Sequence, residues 1–176
     1  MAAGTTYSLI GSYTYTADGP QYNALAFSNI PQTYTDLVLI VNSKDQIPVT
    51  SSVYQPLTFN NDGGNNYSET QMAVSSGSFA SSRWSNQNIL QFMQQPGNNS
   101  PAGYFSINEI QIMNYSSTNI YKTVLVRNNL NGTTNNQVRV IAGLWKGTAG
   151  ITTVTVNGTW GYKTGSSISL YGIKAA

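Results

Sequence analysis

The sequence predicts an all-β fold: a single domain built as an antiparallel, jelly-roll-like β-sandwich. Three observations carry that expectation. Only 8% of the 176 residues are charged, so the Glu, Lys and Arg that long helices draw on are scarce. Apolar residues make up 40% and aromatics 11%, with 12 tyrosines, which is ample for a packed core. Short apolar stretches recur between Gly, Pro and Asn turns, and no segment shows a convincing helical period.

The strand candidates follow in order. YSLIGSYTYT (7–16) alternates and stops at the turn ADGP. DLVLIVNS (36–43) is apolar on both parities, which predicts a strand covered on both faces. YQPLTF (54–59) leads into FNNDGGNNYSET, and NILQFM (88–93) ends at QQPGNNSPAG, a plain loop. Between them, SSGSFASS (75–82) reads as a surface loop, and SRWSNQ (82–87) has room for one helical turn. In GYFSINEIQIMNY (103–115), Phe105 and Ile107 share one parity and Ile110 and Ile112 the other. A two-residue period changes phase only with an extra residue, so a β-bulge near Asn108–Glu109, or two strands meeting at a bend, is expected.

NIYKTVLVRN (119–128) and QVRVIAGLWKG (137–147) flank an Asn131–Gly132 pair that favours a hairpin turn. Val138, Val140, Ala142 and Leu144 hold one parity of the second strand and are its expected core face. Trp145, on the other parity, is expected on a second surface or an interface. ITTVTVNGTWGY (151–162) and SISLYGIK (167–174), separated by an Asn157–Gly158 turn, complete the set. Residues 1–6 are expected to form a flexible arm and 7–176 the sandwich.

Composition excludes much chemistry. There is no His and no Cys, which removes Ser-His-Asp and Cys-His arrangements, ordinary zinc sites and disulfides. The eight Lys and Arg residues are scattered, without the clustered footprint of a nucleic-acid binder. No window approaches the ~18 uninterrupted apolar residues of a membrane helix, and MAAGTTYSLI lacks the basic start of a signal peptide. Neither nucleic acid nor membrane is an expected partner.

Six carboxylates remain: Asp18, Asp36, Asp45, Asp62, Glu69 and Glu109. A glycosidase needs two of them facing across a cleft, and Asp62 with Glu69 is the candidate pair. The simpler expectation is a turn for Asp62 and an exposed strand face for Glu69, so no catalytic residues are assigned and no enzyme is expected. Asn60, Asp62 and Asn66 imitate the start of a calcium loop, but the spacing fails and no glutamate arrives at the twelfth position. No metal or cofactor is therefore expected. Asn60, Asp62, Gly63, Gly64 and Tyr67 are read as a strand-joining turn in which the two glycines allow positive φ. Trp84 lies in a polar stretch and is the candidate surface contact, open to a sugar ring or to a protein partner. Low charge with abundant Tyr and Asn suits interfaces that exclude strongly hydrated groups.

Four stretches, in order, resemble a family of tailed-phage virion structural proteins: IPQTYTDLVLIVNSKD (30–45), LTFNNDGGNNYS (57–68), INEIQIMNYSSTNIYKTVLVR (107–127) and SISLYGIK (167–174). The family pairs a "YTDLVL" strand with a loop of the "FN.D.G.NYS" kind and a closing "LYGIK". NSKDQIPVTSSV departs from it, being longer than the short arginine-containing turn expected there. The resemblance implies a β-sandwich on the virion, either standalone or ending a tail fibre, without catalytic residues. For a chain of this size it implies a capsid decoration or cement subunit on the capsid surface, with the major capsid protein as partner and a homo-trimer as oligomer. The alternative is a receptor- or glycan-binding module of a tail fibre or baseplate.

Overall fold

The computed structural model describes residues 6–91, 93–130 and 136–174, and no helix occurs among them. The Asn131–Gly132 turn and residues 1–5 of the expected arm lie outside the described residues. Thirteen strands are present among the described residues: β1 (Tyr7–Thr14), β2 (Ala24–Phe27), β3 (Asp36–Ser43), β4 (Ser52–Tyr54), β5 (Leu57–Phe59), β6 (Tyr67–Ser75), β7 (Ser78–Gln87), β8 (Gln94–Pro96), β9 (Ser106–Met113), β10 (Lys122–Leu130), β11 (Gln137–Trp145), β12 (Val154–Asn157) and β13 (Ser167–Ile173). Eight form one antiparallel sheet in the order β1-β13-β3-β9-β10-β11-β6-β7. A smaller β2-β12-β5 sheet and the β4-β8 pair make up the rest, and together they give the expected β-sandwich with unequal layers.

The core lies between the large sheet and the β2-β12-β5 sheet. Leu37, Leu39, Val41, Ile110, Ile112, Val124, Val126, Ile141, Ile168 and Leu170 from the first meet Leu57, Phe59, Val154 and Val156 from the second. β3 is covered on both parities as expected, with Val38 buried on the outward side. Pro56 divides YQPLTF into β4 and β5, because proline has no N–H for a ladder and Gln55 turns its own N–H to the Met93 carbonyl, 2.8 Å away. Within NILQFM, Leu90 makes only an isolated bridge to Leu57. The strand nearby is instead β8, inside the stretch expected to be loop.

The 82–87 segment is not helical. It belongs to β7, which with β6 forms a hairpin closed by Ser76 and Gly77 at φ 47° and 84°. Two consecutive left-handed residues make the type I′ turn that suits a two-residue hairpin, so the expected loop at 75–82 is this turn plus strand.

The bulge expected near Asn108–Glu109 is absent, as is the bend. β9 pairs continuously with both β3 and β10. Ile107 faces outward and is exposed, while Asn108 takes the inward position and is buried. The apolar parity changes, but the backbone does not. The register shifts of the sheet lie elsewhere, at Ile10 in β1, between Leu9 and Gly11, and in the β6–β7 pair between Tyr67 and Glu69.

The largest correction concerns β11. Its buried positions are Gln137, Arg139, Ile141, Gly143 and Trp145, and the Val138–Leu144 parity faces out. Val138 is 62% exposed and Trp145 only 3%. The indole fits because Gly147 carries no Cβ, which would lie 2.2 Å from the ring, and because Asp62 accepts its N–H at 2.7 Å; the Phe59 ring packs on it with centroids 5.8 Å apart. Glu69, expected on an exposed face, is likewise buried.

Candidate functional site

The Asn60–Tyr67 turn was the strongest motif of the sequence, and its side chains work inward. Positive φ falls on Asn60 (51°) and Asn61 (54°), not on Gly63 or Gly64. Asparagine tolerates this conformation better than other non-glycine residues because its amide can bond nearby backbone. Asn60 donates to the Gly150 carbonyl (2.9 Å), and its Oδ1 accepts from the N–H groups of Thr152 (2.8 Å) and Thr153 (3.0 Å). It thereby ties the turn to the strand entering the small sheet.

Asp62 is the hub of the same turn. Its Oδ1 accepts from Gly64 N–H (2.8 Å), and its Oδ2 from Asn66 Nδ2 (2.9 Å) and Trp145 Nε1 (2.7 Å). Burial alone would raise its carboxyl, but the hydrogen bonds from Trp145, Asn66 and Gly64 outweigh it and hold the group below its ordinary range. Tyr67, fully buried, accepts from Phe59 N–H at 3.0 Å and lies 3.2 Å from the Asp62 carbonyl. Both carboxylate oxygens of Asp62 already accept from the protein's own donors.

The other carboxylates are also occupied. Glu69 accepts from Gln91 N–H (2.9 Å), and Asp36 from Asn114 N–H (2.8 Å). Asp18 and Glu109 form ion pairs with Lys163 and Arg127. Asp45 is fully buried and bonds Ile47 N–H (2.8 Å) and Gln95 Nε2 (2.9 Å). The structure gives Asp62 and Glu69 separate partners. Among the described residues no cluster of three or more acidic side chains could hold a metal.

The other signature stretches are structural as well. A Cβ on Gly172 of LYGIK would lie 2.3 Å from the Tyr34 ring of YTDLVL, so only glycine fits. The Tyr115 hydroxyl accepts from Tyr34 N–H (3.2 Å) and donates to the Pro31 carbonyl. Lys122 of YKT is buried and donates to the Ile120 (2.7 Å) and Thr148 (3.0 Å) carbonyls, and its burial lowers the ammonium's pKa.

Buried phenols give the molecule an alkaline limit. Burial, reinforced by neighbouring negative charge, pushes Tyr15 and Tyr67 up to about 12. Tyrosine in the unfolded chain titrates near about 10. The folded chain therefore keeps protons that the unfolded chain releases, and the stability these groups contribute is full below pH about 10. It should be lost as pH rises from there towards about 12. Urea midpoints measured across that window should fall, and less steeply in Tyr67→Phe.

The feature that sequence reasoning misplaced is the outward face of the β9-β10-β11-β6-β7 half of the large sheet. Register aligns its side chains in rows. Ile107, Asn129, Val138, Val74 and Phe79 stand side by side across five strands. The next row runs Glu109, Arg127, Val140, Met72 and Ser81, and the one beyond Gln111, Leu125, Ala142, Thr70 and Arg83. Ile107, Leu125, Val138, Val140, Met72, Val74 and Phe79 are all exposed, and Glu109 and Arg127 neutralise each other within the patch.

The inward face of this same half carries, beside its apolar core residues, a buried polar cluster. Arg139 is buried with its guanidinium on the side-chain carbonyls of Gln137 (2.7 and 2.9 Å) and Gln71 (2.5 Å). Beside it, hydrogen bonds link Asn128, Asn108, Gln55, Gln95 and Asp45 in one chain. Sandwich sheets normally bury the apolar parity and wet the polar one. Here that order is reversed locally, where Gln137, Arg139 and Gln71 are inward and Val138, Val140, Met72 and Val74 outward, whereas Ile141, Trp145 and Tyr67 keep an apolar side in the core. Trp84, at 37% exposure, sits opposite the buried Glu69 and so belongs to the inward parity, away from the apolar rows. The signal in the sequence was the Val138–Leu144 parity itself; what it lacked was the side on which the small sheet would pack.

No protein-family profile, curated protein or solved structure matches the chain.

Proposed function

We propose that this chain is a non-enzymatic structural subunit that lays the outward face of its large sheet on an assembled protein shell and stiffens it. The single observation behind this reading is the run of exposed apolar side chains on the outer face over β9, β10, β11, β6 and β7, broken only by the Glu109–Arg127 pair, Arg83 and a few uncharged polar residues. A contiguous apolar surface of that kind marks a protein contact in a water-exposed molecule. Its few charges are self-paired or peripheral, as in the depleted centre of an interface. Commitment of all six carboxylates to structural contacts favours a scaffold over a hydrolase.

The resemblance to tailed-phage virion proteins supplies the shell: a capsid lattice, with the major capsid protein beneath the subunit. A subunit that binds only the assembled lattice stabilises it by mass action. Decorated shells should then survive heat or osmotic shock that ruptures stripped ones. Val138→Lys should weaken binding to stripped shells about tenfold to a hundredfold, or about 1.4–2.8 kcal/mol, while the free subunit stays folded. Equal survival of stripped and decorated shells rejects the stiffening role. Few copies confined to the tail, with glycan affinity lost in Trp84→Ala, would favour the receptor-binding alternative.

A further inference from the structure

β7 closes one side of the eight-stranded sheet, and no described strand pairs with its outer edge. It is exposed along nearly its whole length on both faces. The phase of its hydrogen bonds follows from the type I′ turn. In a two-residue hairpin the flanking pair, here Ser75 and Ser78, exchanges both backbone bonds, and bonded pairs then alternate along the ladder. Ala80, Ser82 and Trp84 therefore direct their backbone groups to β6, and Phe79, Ser81 and Arg83 direct theirs away from the sheet. The bond from Ser76 N–H to the Asn136 carbonyl (3.0 Å), on the far side of β6, agrees with this phase.

The two edges of the sheet differ. β1 is interrupted by the extra residue at Ile10, and a bulge of that kind blunts an edge against further pairing. From Ser78 to Trp84, β7 runs against β6 without a shift; its irregularity lies beyond Trp84. This stretch offers a regular row of unpaired donors and acceptors with a single charge, Arg83.

We propose that the β7 edge pairs antiparallel with the β7 edge of a second copy, about a two-fold axis through Ser81. In that register Ser81 meets its own copy, and Phe79 lies opposite the partner's Arg83. These side chains share the outward face, since Phe79 stands beside Val74 and Arg83 beside Thr70 in the hairpin. The guanidinium is thus set against an aromatic ring, twice by symmetry, and the two cations stay apart. On the other face Ala80 meets the partner's Ser82, small residues where antiparallel strands approach most closely. An axis through Arg83 would oppose two cations, and one through Phe79 would leave most of the strand unpaired. The Ser81 axis makes two large sheets continuous and joins their apolar faces into one surface. It does not depend on what those faces bind, and it sets a two-fold contact where the family resemblance implies a three-fold oligomer.

The chain has no cysteine, so Ser81→Cys introduces a sole thiol. Across a bonded antiparallel pair the Cα atoms are about 5.5 Å apart, within disulfide range. Mild oxidation should link Ser81→Cys into a dimer. Phe79→Cys should not link, its two copies being about 14 Å apart at strand spacing. Ser81→Pro removes only an outward N–H, so it should keep the circular dichroism of the wild type yet lose the dimer in sedimentation equilibrium. A wild type that stays monomeric over the dilution series overturns the pairing. So does an oligomer unchanged by Ser81→Pro, or equal cross-linking of the two cysteine variants.

Discussion

Ile141→Ala is expected to lower the unfolding free energy of the free subunit by about 2–5 kcal/mol and Trp145→Ala by about 3–5, whereas Val138→Ala should cost less than about 1. The three residues lie on one strand within a few positions of each other, so strand propensity does not separate them. Burial does. Ile141 and Trp145 belong to the core between the sheets, and Val138 stands on the outward face. Trp145 carries a second cost, because its loss removes a hydrogen bond to Asp62 as well as a ring packed on Phe59. Urea unfolding of the three variants, followed by tryptophan-independent circular dichroism, measures the contrast. If Val138→Ala proves as costly as Ile141→Ala, the outward parity is not a free surface and the docking face loses its basis.

Asp62→Ala should cost about 2–3 kcal/mol at neutral pH, an effect large for a half-exposed turn residue. Hydrogen bonds to a charged acceptor contribute about 1.5–3 kcal/mol, and a buried donor left unpaired costs about 1–3. The indole N–H of Trp145 is that donor, since the ring is buried in the core. The pH dependence follows from the lowered carboxyl. The unfolded chain takes up a proton near its ordinary value of 3.8, above the folded value, so stability from Asp62 is present above that pH and lost as pH falls below it. The gap between wild type and Asp62→Ala should therefore narrow in acid. A gap constant from neutral pH to well below 3.8 would show that the charge on Asp62 does not hold the turn.

Much of the candidate site was legible, but with the wrong sign. The turn chemistry of Asn60 and Asp62 could be read from residue type, since short amide and carboxylate side chains satisfy local backbone. Which residues took positive φ could not, because Asn60 was selected by the distant carbonyl and N–H groups of Gly150, Thr152 and Thr153. Glu69 shows the same limit. A carboxylate on a strand is expected in water, and only the fold reveals that the Gln91 N–H arrives to meet it.

By itself the sequence determined the class of this protein. Scarce charge, no cysteine or histidine, and alternating short strands between turn residues admit little besides an antiparallel sandwich, and β3 could be delimited to the residue. Which face of each strand is inside was decided only by the tertiary structure. Period-two alternation separates two faces but carries no label for the buried one. Over part of β11 and β6 the buried side is the one on which Arg139, Gln137 and Gln71 satisfy one another, leaving Val138, Val140, Met72 and Val74 outward. Burial is settled by what lies across from a strand, and that neighbour, β12 or the Gln91 backbone, is remote in the chain.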